Sequence, residues 1–93
     1  MEFEWDHRKS EENLKKHGIS FAEACLIWQG VHIRVDNVAK TIRGESRHAI
    51  ISELKEKIWV VFWTRRRGKI RIISVRRARD EEKQVYYKKL QDS

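Results

Sequence analysis

The six residues Ile58–Trp63, IWVVFW, are apolar at every position. In a β-strand, successive side chains alternate between the two faces of the sheet. A run that is apolar on both faces needs cover on both, so it belongs to a central strand with chain packed above and below it. It is far too short to cross a bilayer, which takes about 20 apolar residues in a helix. The chain is therefore built around a sheet.

The flanking sequence supplies the rest of that sheet. RHAIISEL and KIWVVFWTR read as a hairpin turning around Lys55 and Glu56, although the turn lacks the glycine or Asn-Gly pair that tight hairpins favour. Gly68 marks the next turn, and KIRIISVRR follows as a strand. VHIRVDN, Val31–Asn37, alternates with period two and predicts a strand with Val31, Ile33 and Val35 inward. KTIRGES is the loop after it. EFEW sets Phe3 and Trp5 against Glu2 and Glu4, a short strand with one buried face.

Three segments have helical signals. Asp6 suits an N-cap ahead of HRKSEENLKKH, and Gly18 suits the left-handed residue after it. This helix is polar on most faces and is expected on the outside. SFAEACLIWQG opens with a capping box, Ser20 and Glu23, and carries an apolar stripe of Phe21, Ala24, Ile27 and Trp28. Asp80 reads as the cap of a last helix, EEKQVYYKKLQ, with Glu81 and Glu82 in its first turn. The order β, α, α, four strands, α predicts an α+β fold. It has a small antiparallel sheet of four to five strands, two N-terminal helices and one C-terminal helix, in one domain over residues 1–93.

Charge singles out one part of this sheet. Arg65–Arg79 holds eight basic residues and no acidic one, while the rest of the chain holds 13 basic and 14 acidic residues. The net charge of +7 is thus concentrated in 15 residues. Solubility does not require such segregation; a polyanionic partner, nucleic acid above all, does. An acidic protein partner would answer the same field. Strict alternation through KIRIISVRR puts Arg71 and Arg77 on one face, about 20 Å apart, the span of several nucleotides rather than of one phosphate.

Other classes of chemistry find no support. Cys25 stands alone, which excludes an internal disulfide or a multi-cysteine zinc site and suggests a reduced, cytoplasmic setting. It reads as a small buried hydrophobe on a helix. His7, His17, His32 and His48 are scattered without metal-ligand spacing. There is no glycine-rich nucleotide loop and no G-x-S-x-G. MEFEWDHRK lacks the apolar region of a signal peptide. No metal, cofactor or membrane is expected.

Glu82, Tyr86 at i+4, and His17 at the end of the first helix could supply proton transfer beside the arginines. A carboxylate, a phenol and an imidazole near guanidinium groups can cleave RNA without metal: the 2′-hydroxyl attacks its own phosphate, arginines stabilise the pentacovalent state, and an acid protonates the leaving 5′ oxygen. Each residue has a plain structural alternative. Glu82 suits a helix N-terminus, Tyr86 suits packing on the sheet, His17 suits a helix C-terminus, and Arg76 and Arg79 suit solvated strand and helix ends.

Across nearly the whole chain these residues resemble one family, the BrnT-type toxins. FEWD (Phe3–Asp6), Lys9, Asn13 and KHGISF (Lys16–Phe21) resemble its opening signature. GESR (Gly44–Arg47) resembles its G-E-x-R, RIISVRRA (Arg71–Ala78) its basic strand, and Glu82 with Tyr86 its E-x-x-x-Y. The chain departs at Thr64-Arg65-Arg66, where the family has T-E-R, at Arg79, where it often has Thr, and at Tyr87, where an acidic residue is common. The resemblance implies a RelE-like fold and a type II toxin acting as a ribonuclease that stops translation. It also implies a BrnA-type antitoxin with a ribbon-helix-helix DNA-binding end, whose complex with the toxin represses its own operator. On that reading one face of IWVVFW meets the partner. Arg71, Arg77, Glu82, Tyr86 and His17 would be catalytic, and Arg65, Arg66, Arg67, Lys69, Arg76 and Arg79 would hold RNA phosphates. The competing expectations are a non-catalytic subunit of a repressor and a topoisomerase-blocking toxin.

Overall fold

The computed structural model describes residues 1–40 and 45–92. In chain order it contains β1 (Phe3–Glu4), α1 (His7–His17), α2 (Phe21–Ala24) continuing into a 3₁₀ stretch (Cys25–Gln29), β2 (His32–Lys40), β3 (Ser46–Leu54), β4 (Lys57–Arg66), β5 (Lys69–Arg77) and α3 (Asp80–Asp92). The strand order is β1-β5-β4-β3-β2, so IWVVFW occupies the middle strand of five. β2 to β5 are antiparallel neighbours. The expected antiparallel sheet is in fact mixed, because β1 returns to pair parallel with β5, Phe3 opposite Ile70 and Glu4 opposite Arg71.

Both faces of β4 are buried by the chain itself. Trp59, Val61 and Trp63 join Ile19, Phe21, Ala24, Ile27, Ile50, Ile70, Ile72 and Val75 in a core under the N-terminal helices. Ile58 and Val60 join Ala49, Ile51, Ala78 and Tyr86 in a second core on the other face, with Ile33, Phe62 and Leu90 at its border. The apolar face expected to meet a partner is thus covered by α3, since Tyr86 and Leu90 lie along one side of that helix.

The N-terminal helices are set as the sequence indicates. The Asp6 carboxylate accepts from the Lys9 N–H at 3.2 Å, and Gly18 closes α1 at φ 80°, where a side chain would be strained. Ser20 and Glu23 form the complete capping box. α1 docks, unusually, through polar side chains. Ser10 Oγ accepts from the Phe21 N–H at 2.9 Å. Asn13 donates to the Ile19 carbonyl at 2.9 Å and accepts from the Val75 N–H of β5 at 3.3 Å. One amide side chain therefore ties α1, the start of α2 and the basic strand together, while Leu14 stays exposed.

Two further expectations need correction, and the hairpin turn expected at Lys55 and Glu56 is found there. β2 begins after Val31, which is 68% exposed, and Val35 is exposed too, because α3 covers only the Ile33 part of this edge strand. Asp80 is the first helical residue of α3 rather than its cap; the Arg79 carbonyl accepts from the Lys83 N–H at 2.9 Å, and the Arg79 N–H donates to the Glu82 carboxylate at 2.8 Å. The β3–β4 turn forms without glycine. Lys55 and Glu56 hold φ of 55° and 64°, the left-handed values a tight two-residue hairpin turn requires. The Lys55 ammonium is paired with Glu23. Part of the KTIRGES loop and of the GESR motif, residues 41–44, lies outside the described residues. Among the described residues no helix is long and apolar enough to cross a membrane.

Candidate active site

The basic strand does not alternate strictly. Phe62 faces Ser74 but Trp63 faces Ile72, so Ile73 is an extra residue opposite one step of β4. Such a bulge exchanges the faces of everything beyond it. Ile70, Ile72 and then Val75 all enter the core under the N-terminal helices, which puts the change between Ile72 and Val75. The expectation that Arg71 and Arg77 share a face is therefore overturned. Arg71 shares the α3 face with Arg76 instead, and Arg77 lies on the opposite face, its guanidinium 5.6 Å from the centre of the Trp59 ring.

Three groups of basic residues result. On the α3 face, beyond the part that α3 covers, lie Arg71, Arg66 and Lys69. Each has a carboxylate nearby: Glu4 is 3.8 Å from Arg71 and Glu2 is 3.6 Å from Lys69, while Arg66 donates a hydrogen bond to Glu45 at 3.3 Å. The second group surrounds the start of α3. Arg76 donates through both terminal nitrogens to Glu82, at 2.7 and 2.8 Å, and lies 5.3 Å from the Phe62 ring. Arg79 is exposed beside it. The third group faces the N-terminal helices, where Arg65 lies 5.9 Å and Arg34 5.2 Å from the Trp63 ring and Arg77 covers Trp59. Arg67 is exposed in the β4–β5 turn with φ 54°.

The proton-handling candidates separate as well. The Glu82 carboxylate is held below its ordinary value of 4.5, first by the hydrogen bonds from Arg76 and then by the Arg79 N–H, against the opposing effect of its own burial. A fork-to-fork pair of this kind keeps the carboxylate ionised and its oxygens occupied. Tyr86 is 5% exposed within the second core. His17 is half-buried in a cleft of about 300 Å³ between α1 and β5, lined with it by Lys9, Glu12, Asn13, Lys16, Phe21, Ile73 and Ser74. The bulge thus opens the edge of β5 where α1 ends. Cys25 is half-buried, and burial pushes its thiol up to about 11, which leaves it a protonated packing group. Among the described residues, no three His, Cys, Asp or Glu side chains converge.

Sequence reasoning gave Glu4 and Asn13 no role of their own beyond the opening signature. Glu4 reaches Arg71 only through the parallel β1–β5 pair, a long-range contact with no local signal. Asn13 had one weak signal, a polar residue on the helix face that must turn inward.

Comparison with known families agrees with this architecture. The family model described as ribonuclease toxin, BrnT, of type II toxin–antitoxin system matches residues 5–82. A search of curated proteins finds no match to the chain. The match runs from Trp5, just after β1, through the central hairpin and the bulged basic strand, to the Arg76–Glu82 clamp, and on that extent the chain belongs to the BrnT family of ribonuclease toxins of type II toxin–antitoxin systems.

Proposed function

We propose that this protein stops translation by cleaving RNA without metal, through attack of a ribose 2′-hydroxyl on the adjacent phosphate, on the open half of the sheet face that carries Arg71. The observation that carries this reading is the state of Arg71. It sits in a basic group on the open part of the α3 face, and the Glu4 carboxylate beside it is 3.8 Å away, beyond hydrogen-bond range. A guanidinium so placed can exchange that carboxylate for two phosphate oxygens. Arg66 and Lys69 extend the same surface toward the β4–β5 turn, where Arg67 adds charge, and Arg76 and Arg79 border it at α3.

Of the three proton-handling candidates, His17 is the one that lines the open cleft. Glu82 acts by orienting Arg76, and Tyr86 by seating α3. Arg77 and Arg65 then serve the opposite face. The antitoxin is a BrnA-type protein with a ribbon-helix-helix end, whose complex with the toxin binds operator DNA; acidic segments of such a partner would compete for the Arg71 surface and silence it.

Expression of the chain alone in bacteria tests this reading. Growth arrest with loss of mRNA is expected, and Arg71→Ala should abolish both. Growth arrest with intact mRNA and a DNA-damage response would assign the toxin to a topoisomerase. Salt-sensitive nucleic-acid binding with normal growth would reduce it to a repressor subunit.

A further inference from the structure

Four residues that are far apart in sequence form one row across the open half of the α3 face. Glu4 on β1 pairs with Arg71 on β5, and Arg71 pairs with Thr64 on β4. One register step beyond His48 opposite Trp63, Arg47 on β3 comes beside Thr64. All four side chains point to the same face, because Phe3, Ile70, Ile72, Trp63 and Ile50 fill the alternate positions on the helix side. Thr64 takes no part in charge pairing; its hydroxyl donates to the Ser46 carbonyl at 2.8 Å. The row therefore reads carboxylate, guanidinium, hydroxyl, guanidinium, with neighbouring strands about 4.8 Å apart.

Two atoms in this row are unsatisfied. Glu4 Oε1 and Arg47 Nε are buried and have no hydrogen-bond partner, and among the described residues only Trp63 Nε1 shares that condition. A buried polar group without a partner costs about 1–3 kcal/mol, and two at the ends of one row require an explanation. The side chains themselves are not sealed in: Glu4 is 31% and Arg71 29% exposed. The row is arranged as a site is before its ligand arrives, with donors and an acceptor spaced for a group that is both anionic and hydroxylated. A ribose phosphate is such a group.

We propose that Glu4 and Arg47 complete the ribonuclease site, Glu4 as the general base and Arg47 as a second phosphate-holding arginine. This rests on the reading that RNA is cleaved at Arg71. When the phosphate engages Arg71, the guanidinium leaves the loosely held Glu4 carboxylate and binds phosphate oxygens, while Arg47 donates its free Nε–H to the same phosphate. The released Glu4 carboxylate removes the proton of the 2′-hydroxyl. The 2′ oxygen forms a bond to phosphorus, the bond from phosphorus to the 5′ oxygen breaks, and that oxygen takes the electron pair together with a proton from water. The products are a 2′,3′-cyclic phosphate and a 5′-hydroxyl end.

The test uses the purified full chain in a ribosome-containing translation extract, so that a requirement for the ribosome is met. Cleavage of a reporter mRNA is followed, together with direct binding of a short mixed-sequence oligonucleotide in its non-cleavable 2′-deoxy form. Glu4→Gln should slow cleavage about a hundredfold without weakening oligonucleotide binding. Arg47→Ala should weaken binding about tenfold, with Arg47→Lys in between. If Glu4→Gln cleaves at the wild-type rate, or Arg47→Ala binds as tightly as wild type, while Arg71→Ala is inactive, the proposal fails and the wider reading stands. If Arg71→Ala itself cleaves normally, both fall. Should Glu4→Gln not fold, Glu4→Asp carries the test: a wild-type rate overturns the base role, and a loss of about tenfold supports it.

Discussion

Arg71 and Arg76 stand five positions apart on one strand, on one face, each beside a carboxylate, yet they are in different states. Arg76 is gripped by Glu82 through two short hydrogen bonds and backed by the Phe62 ring. Arg71 is 3.8 Å from Glu4, beyond hydrogen-bond range. The first geometry fixes the start of α3 against the sheet. The second leaves a cation ready to exchange its partner. An ion pair by itself says little about role; its distance and denticity decide whether it acts as a clamp or as a reserve.

The contrast is broken most directly by activity. Arg71→Ala should lower RNA cleavage by at least a hundredfold, with little change in melting temperature. Arg76→Ala should do the reverse, with cleavage kept below its melting point. Equal losses of activity from the two would end the distinction. Asn13→Ala tests the frame that both arginines share. It leaves the Ile19 carbonyl and the Val75 N–H unpaired in the interior, and chemical denaturation should show a loss of about 3 kcal/mol.

The clamp itself is smaller. Glu82→Gln should cost about 1 kcal/mol at neutral pH, roughly a 5 °C fall in melting temperature for a domain of this size, after allowance for solvent screening. Its pH dependence has a definite sign. The Glu82 carboxyl is held below 4.5 in the folded state, so its stabilisation is complete above that value and disappears as pH falls through the lower folded value. Melting curves of wild type and Glu82→Gln should therefore converge in acid and diverge at neutral pH; curves parallel throughout would remove the clamp from the account. Smallest of all, Glu56→Gly should stabilise the protein by about 0.5–1 kcal/mol, because its φ of 64° favours glycine. That change leaves every charge of the arginine surface in place and calibrates how small an effect the comparison resolves.

Much of the fold was legible beforehand for a physical reason: local signals dominate it. The two-faced run Ile58–Trp63 required a middle strand, and the Ser20–Glu23 box and Gly18 marked helix ends through their own hydrogen bonds. The site was less legible because its geometry depends on one extra residue. KIRIISVRR fits strict alternation until the pair Ile72-Ile73 is noticed, where apolar positions change from even to odd at Val75. That doublet was the available signal for the bulge. Nothing local announces that Glu4 will lie beside Arg71, since parallel pairing of distant segments leaves no trace in either segment alone.

That pairing has a consequence for the cell that makes the protein. β1 leaves the ribosome before β5, and it has no strand to join until β5 has followed it. Contacts between the two ends of a chain are late to close. On the mechanism proposed above, a copy whose synthesis has not reached β5 lacks the pairing that sets Glu4 beside Arg71, so the messenger being read is spared until β5 has emerged.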